Sequence, residues 1–156
     1  MDLTQILIQI RRIVRSLDLE SKQIQKNIGI SIPQLLCLDY LRGCPGERST
    51  HRDLTAFLNL NSSTVTGIVN RLERKQLLRR LPGKIDKRIT HLALTAKGRS
   101  LLNSAPDLLH NKLSEQLAHL PEKELQNIRH ALELLVHAMG IQRLDASPVL
   151  TSEEPE

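Results

Sequence analysis

One segment of the chain carries the side chains whose types and spacing suggest chemistry, and that chemistry is the binding of a polyanion. Ten basic and only two acidic residues lie between Ser62 and Arg99, whereas the whole chain has a formal net charge of +5. Basic residues concentrated in one segment are typical of a polyanion site. A solvated charged face would show the same run of charge, so the side chains within the segment must decide between the two interpretations.

The first part of this segment, Ser62 to Lys75, is predicted to form a helix with two unlike faces. At 100° per residue, one face is an apolar stripe of Val65, Ile68, Val69 and Leu72. The opposite face has small hydroxyl and amide side chains, followed by arginines. Such short groups allow a helix to enter the major groove of DNA and contact base edges, although hydroxyl residues could alternatively only cap the helix. The candidate DNA-binding residues of this helix are Ser62, Ser63, Thr64, Thr66, Asn70, Arg71 and Arg74.

A β-hairpin, or wing, is predicted directly after this helix. Residues 77–80 and 88–94 have strand character, and Pro82-Gly83 between them is a turn signal. An arginine near the tip of such a hairpin can enter the minor groove, and a carboxylate two residues away could hold its guanidinium by a bidentate pair. An exposed ion pair of little energetic consequence is the alternative. The candidate DNA-binding residues of the wing are Lys84, Asp86, Lys87 and Arg88.

The elements upstream of these residues have the spacing of a helix-turn-helix. Ser31 and Gln34 have the pattern of a capping box at the start of one helix. A short helix follows, capped by Ser49 or Thr50, and its Phe57 is expected to point inward. This short helix, a tight turn and the polar-faced helix together have the dimensions of a helix-turn-helix motif.

Two further helical regions flank this motif and carry apolar faces suited to pairing. Residues 3–28 repeat apolar side chains at helical spacing. Thr95 caps a long helix from about Ala96 that is interrupted or bent near Pro106, and a last helix starts at Pro121-Glu122 and is closed by Gly140. The polar, acidic residues 143–156 are expected to form a disordered tail. We expect the flanking helices to form a homodimer, with Ile6, Ile10, Leu132 and Leu135 at the interface.

Composition and missing motifs argue against several other classes of protein. Tyr40 and Phe57 are the chain's two aromatic residues, so the core must be aliphatic, which favours layered helices. No apolar run approaches the ~20 residues that span a bilayer, and the first residues do not resemble a signal peptide, so a cytoplasmic protein is expected. No nucleophile elbow, phosphate loop or metal triad is present, which predicts no enzyme, no cofactor and no metal site.

Two cysteines, Cys37 and Cys44, do not make a disulfide framework. On one continuous helix they would lie ~10 Å apart along the axis, too far for an unstrained disulfide. Because a buried cysteine usually serves as a small hydrophobe, we hypothesise that neither is a redox switch. A cysteine-based, redox-responsive regulator is the alternative.

The segment Ser62 to Gly98 resembles the recognition helix and wing of the multiple-antibiotic-resistance regulator (MarR) family. It reads SSTVTGIVNRLERKQLLRRLPGKIDKRITHLALTAKG. The family's Asp-x-Arg of the wing corresponds to Asp86-Lys87-Arg88, and its Leu-Thr-x-x-Gly corresponds to Leu94 through Gly98. The upstream run GISIPQLLCLDYLR is similar to the family's second helix, and the resemblance covers about residues 3 to 140.

The resemblance implies a mostly α-helical fold with a small β-hairpin wing and one domain over residues 1–142. In that domain, about 30–99 would be the winged helix-turn-helix, and about 3–28 and 100–140 the dimerisation helices. It implies a homodimeric transcriptional regulator, a repressor, that binds a pseudo-palindromic operator in double-stranded DNA and is released by a small-molecule effector. Arg88 would enter the minor groove with Asp86 as its brace. An interaction module that binds a protein or RNA is the alternative.

Two residues depart from the family pattern. Gln76 stands where the family usually has glycine, at a position that often requires a left-handed backbone. Gly67 stands where a basic residue is frequent, and it lowers helix propensity by ~1 kcal/mol relative to alanine. Both departures bear on the affinity for DNA and not on the fold.

Overall fold

The chain folds into helices with one small antiparallel sheet, as seen in a computed structural model that describes residues 2–83, 86 and 88–144. The described residues form two compact units, one up to Ala105 and the other from Pro106. The predicted fold class is confirmed. The helices are α1 (Leu3–Ile28), α2 (Ile32–Gly43), α3 (His51–Leu58), α4 (Ser62–Arg74), α5 (Ala96–Ser104), α6 (Leu109–Ala118) and α7 (Glu122–Ala138), and the strands are β1 (Arg48–Thr50), β2 (Leu78–Pro82) and β3 (Thr90–Leu94).

The boundaries of the first helices follow from capping chemistry. Gly29 ends α1 with a left-handed φ of 78°, a conformation that suits a residue without Cβ. The predicted capping box opens α2, because the Ser31 hydroxyl accepts from the Gln34 N–H and the Gln34 side chain accepts from the Ser31 N–H. Thr50, one of the two predicted candidates, caps α3 by accepting from the Asp53 N–H at 3.1 Å.

The sheet contains one strand more than the predicted hairpin. Its order is β1-β3-β2, and Leu78 pairs with Leu94 while Pro82 pairs with Thr90. The additional strand, β1, is three residues long and pairs with β3 alone. Pro82 lies at the end of β2 and not in the predicted turn. A strand as short as β1 has no alternation to detect, so only its long-range pairing reveals it.

An aliphatic core holds the first unit together. Leu38, Leu54 and Val65, from α2, α3 and α4, are all fully buried. The prediction that Phe57 points inward is wrong, because its side chain is 50% exposed and stacks on Tyr40 with ring centroids 4.4 Å apart. The two aromatic rings therefore cover each other at the surface, and the core is filled by leucine, isoleucine and valine.

The second unit consists of α6 and α7, and Gly140 follows α7 with a left-handed φ of 68°. The interruption predicted near Pro106 is confirmed, since residues 105–108 are not helical. The expected single domain over 1–142 remains a prediction, and positions 145–156 of the expected tail lie outside the described residues. Across the described ranges, no helix combines the length and the hydropathy required to cross a membrane.

Gly98 marks the closest approach between α5 and the chain that follows α4. A Cβ built at this residue would lie 2.2 Å from the Leu77 carbonyl oxygen and 2.8 Å from Leu94 Cδ1. We therefore expect Gly98→Ala to lower the free energy of unfolding by roughly 1–3 kcal/mol, the usual effect of overpacking. Urea denaturation followed by circular dichroism would measure the loss.

Gly67→Ala is the matched control, because it adds the same methyl group to another helical glycine. Nothing lies within 4 Å of a Cβ built at Gly67, so this variant should gain about 0.5–1 kcal/mol from helix propensity. Equal urea midpoints for Gly98→Ala and the wild type would contradict the close approach.

Candidate nucleic-acid interface

The burial of α4 separates its two faces as the sequence predicts. Val65, Val69 and Leu72 are fully buried and Ile68 nearly so. The hydroxyl residues and arginines at 62, 63, 64, 66, 71 and 74 are exposed, whereas Asn70 and Gly67 are half-buried. The helix therefore presents a hydroxyl, amide and guanidinium surface to its surroundings.

Asn61 caps α4, so the alternative in which the three hydroxyl residues serve only as the cap is wrong. The Asn61 side chain accepts from the Thr64 N–H at 2.8 Å and from the Ser63 hydroxyl at 2.7 Å. The first N–H groups of a helix have no partner within the helix itself. At the start of α4, the backbone N–H groups of Ser62 and Ser63 lie beside exposed hydroxyls. This arrangement is suited to binding a phosphate oxygen.

Arg80 of β2 joins the wing to α4, a contact that sequence reasoning missed. Its Nη2 donates to Asn70 Oδ1 at 2.6 Å, and its Nη1 lies 3.3 Å from Glu73 Oε1. The bond from Arg80 orients the Asn70 amide and uses one of the two lone pairs of its oxygen.

The wing displays Arg88 almost completely, with 95% of its side chain exposed. The brace from Asp86 differs from the expected bidentate pair. Its Oδ1 accepts from the Arg88 backbone N–H at 3.0 Å, while the guanidinium Nε lies 3.9 Å away. The carboxylate therefore holds the Arg88 backbone, and only a long ion pair connects it to the exposed guanidinium. Lys84 and Lys87 lie outside the described residues.

Gln76, one of the two departures from the family pattern, lies in the chain between α4 and β2. Gln76 adopts the expected left-handed backbone, with φ of 60°. Its carbonyl accepts from the Thr95 hydroxyl at 2.7 Å, and the carbonyl of Lys75 accepts from Lys97 Nζ at 3.0 Å. These two bonds to the start of α5 hold a conformation that is uncommon for a residue with a Cβ.

A further side chain that the sequence reasoning did not single out, His51, lies beside the start of α4. Its Nε2 is 3.0 Å from the Thr66 hydroxyl, so the first residue of α3 contacts the exposed face of α4. In the sequence, the one feature that indicates this contact is a polar residue placed directly after the Thr50 cap. The spacing of a helix-turn-helix places the first residue of α3 near α4. The hydrogen bond between His51 and Thr66 depends on tertiary packing.

Cys37 lies within α2, and Cys44 is the residue that follows its end. Cys37 is fully buried, and desolvation raises the pKa of its thiol to about 12. A thiol with so little thiolate is a poor nucleophile, which supports the hypothesis that Cys37 is not a switch. Cys44 is half-buried and, like Cys37, is a free thiol. Within the described ranges, no three His, Cys, Asp or Glu side chains are grouped to hold a metal ion.

Comparison with known proteins gives matches to the same segment and the same fold. The family model of the MarR family matches residues 30–90. The homoprotocatechuate degradative operon repressor of Escherichia coli is 31% identical over 85 residues, which are 54% of this chain and 57% of that protein. The chain thus matches little more than half the length of this curated relative.

Two solved structures show the similarity of fold. The Staphylococcus aureus MepR–DNA complex has a TM-score of 0.63 and 22% identity, covering 84% of this chain and 96% of that one. A MarR family transcriptional regulator of Streptomyces coelicolor in complex with DNA has a TM-score of 0.64 and 21% identity, covering 97% and 96%. Residues 30–90, which include the whole of α4 and of β2, are thus similar to the MarR family.

Proposed function

We propose that this protein is a sequence-specific regulator of transcription that binds double-stranded DNA and acts as a repressor. The observation that carries the proposal is the orientation of α4, which buries its apolar stripe and exposes its hydroxyls and arginines, together with the 95% exposed Arg88 of the wing. The match of residues 30–90 to the MarR family model, the DNA complexes among proteins of similar fold and the relative named as an operon repressor support it. Operator DNA as the ligand implies action in the cytoplasm.

In this proposal, α4 enters the major groove with its first turn toward the base edges. Ser62, Ser63 and Thr64 are small enough to approach the groove floor, and the N–H groups of that turn can bind a phosphate. Asn70, Arg71 and Arg74 further along the helix supply donors to phosphates or base acceptors. Arg88 extends into the adjacent minor groove, where a narrow A·T stretch deepens the negative potential.

Dimer formation is part of the same proposal, because each unit exposes apolar side chains that a second copy of the chain could cover. In α1, Ile6 is 42% exposed and Ile10 half-buried, and in α7, Leu132 is 53% exposed and Leu135 half-buried. Apolar faces of this kind on helices are suited to pairing with another helix. Two copies would present two α4 helices to the halves of a pseudo-palindromic operator. Release by a small-molecule effector rests on the family resemblance.

Selection of duplexes from a random DNA library, followed by affinity measurements on the selected duplex, tests the proposed function. A dimer with about six to ten phosphate contacts should lose about 10³- to 10⁵-fold in affinity between 50 and 200 mM salt, because binding releases counterions. A scrambled duplex should bind far more weakly at every salt concentration. Selection that enriches no sequence, together with a shallow salt dependence, would favour an interaction module for a protein or an RNA.

Arg88→Ala is expected to weaken binding to the selected duplex by roughly 1–3 kcal/mol, because it removes one specific arginine contact. The side chain is 95% exposed, so the melting temperature and the dimer should be unchanged. Arg129→Ala removes an exposed arginine from α7 and is the matched control, with wild-type binding expected. A gel-shift titration in which Arg88→Ala binds as the wild type does would refute the wing's role.

Ile6→Glu is expected to dissociate the dimer, because it places a charge in the apolar face of α1. Gln5→Glu, one residue earlier on the polar side of the same helix, adds the same charge and should leave the dimer intact. Light scattering at matched concentrations measures both masses. An Ile6→Glu protein that stays dimeric would contradict pairing through α1.

A further inference from the structure

The His51 ring lies between two threonine hydroxyls at the junction of α3 and α4. Its Nε2 is 3.0 Å from Thr66 Oγ1, and its Nδ1 is 3.3 Å from Thr55 Oγ1. The Thr66 hydroxyl also donates to the Ser62 carbonyl at 2.9 Å. With its proton given to that carbonyl, Thr66 Oγ1 is the acceptor for the N–H of His51 Nε2.

Two hydrogen bonds therefore fix the rotamer of an exposed side chain on the proposed DNA-binding face. To offer its hydroxyl to a base, Thr66 would have to rotate about the Cα–Cβ bond and lose both bonds. A β-branched side chain is already restricted at this torsion, and the two bonds restrict it further. The methyl group of Thr66 is then the part of the side chain that is free to contact a ligand.

We propose that Thr66, held by His51, is a specificity-determining residue that selects a thymine through contact between its methyl group and the 5-methyl group of the base. The inference rests on the proposed function, since it needs α4 in the major groove. Thymine alone presents a methyl group in that groove, and threonine methyls are among the apolar groups that contact it. A side chain fixed before binding also loses less rotamer entropy in the complex. His51 acts as a positioning residue, through Thr66.

The test replaces each thymine of the selected duplex, one at a time, by deoxyuridine, which lacks only the 5-methyl group. For the wild type, we expect one thymine per half-site whose replacement weakens binding about fourfold, the value for one buried methyl group. Thr66→Val keeps a methyl group and should retain the effect at that thymine, because the one χ1 rotamer that valine strongly prefers in a helix holds the methyl without a hydrogen bond. Thr66→Ser keeps the hydroxyl without the methyl and should bind the thymine and uracil duplexes equally well.

Variants of His51 separate positioning from a merely structural role. His51→Leu leaves the Thr66 methyl group in place and removes one of the two partners of its hydroxyl, so the preference for thymine over uracil should fall below fourfold. His51→Gln supplies an amide N–H and should restore part of the preference. If His51 had a merely structural role, its variants would change the affinities for the thymine and uracil duplexes in parallel. The ratio of the two affinities would then stay at about fourfold.

The outcomes separate this inference from the proposed function. Failure of the wild type to bind any selected duplex would overturn the proposed function. Tight binding without a methyl-sensitive thymine, or a sensitivity that persists unchanged in Thr66→Ser, would overturn only the role of Thr66. A preference that is unaffected in His51→Leu would overturn the role of His51.

Discussion

The apolar stripe of α4 can be buried in only one rotation of the helix about its axis, and the rest of the account depends on that rotation. Val65, Val69 and Leu72 are removed from water completely, and each such side chain contributes about 1.5–3 kcal/mol when buried. A turn of 100°, one residue, would bury hydroxyls and expose leucine. The hydrophobic effect therefore decides which side chains face outward, and the hydroxyl and arginine face is its consequence.

Several acceptor oxygens of the outward surface already accept hydrogen bonds from neighbouring side chains or backbone. Asn70 Oδ1 accepts from Arg80, Asp86 Oδ1 accepts from the Arg88 N–H, and Thr66 Oγ1 lies within bonding distance of His51. The Arg88 guanidinium is exposed, and the first N–H groups of α4 have no partner within the helix. Such a surface is complementary to phosphates and to groove acceptors, and Arg80 links its helical part to β2 of the wing.

Local signals in the sequence predict most of this fold. The 100° periodicity predicts α1 and α4, the Ser31–Gln34 pair predicts the start of α2, and the left-handed Gln76 follows from the position of a family glycine. Contacts between distant residues were not predictable in the same way.

Pairing of β1 with β3, stacking of Phe57 on Tyr40 and the bonds of Arg80 and His51 across elements all depend on packing that no local pattern encodes. For the candidate site, the sequence thus predicts which side chains face outward. It does not predict which of their polar atoms are already engaged.

Amide hydrogen exchange by NMR, on the free protein and on its complex with a selected duplex, tests the central claim most directly. The N–H groups of Ser62 and Ser63 have no partner within α4 and should exchange rapidly in the free protein. Binding of DNA at the first turn should slow their exchange and shift the resonances of Arg88 and its neighbours. A complex in which these amides exchange as fast as before, with protection only elsewhere, would contradict the account.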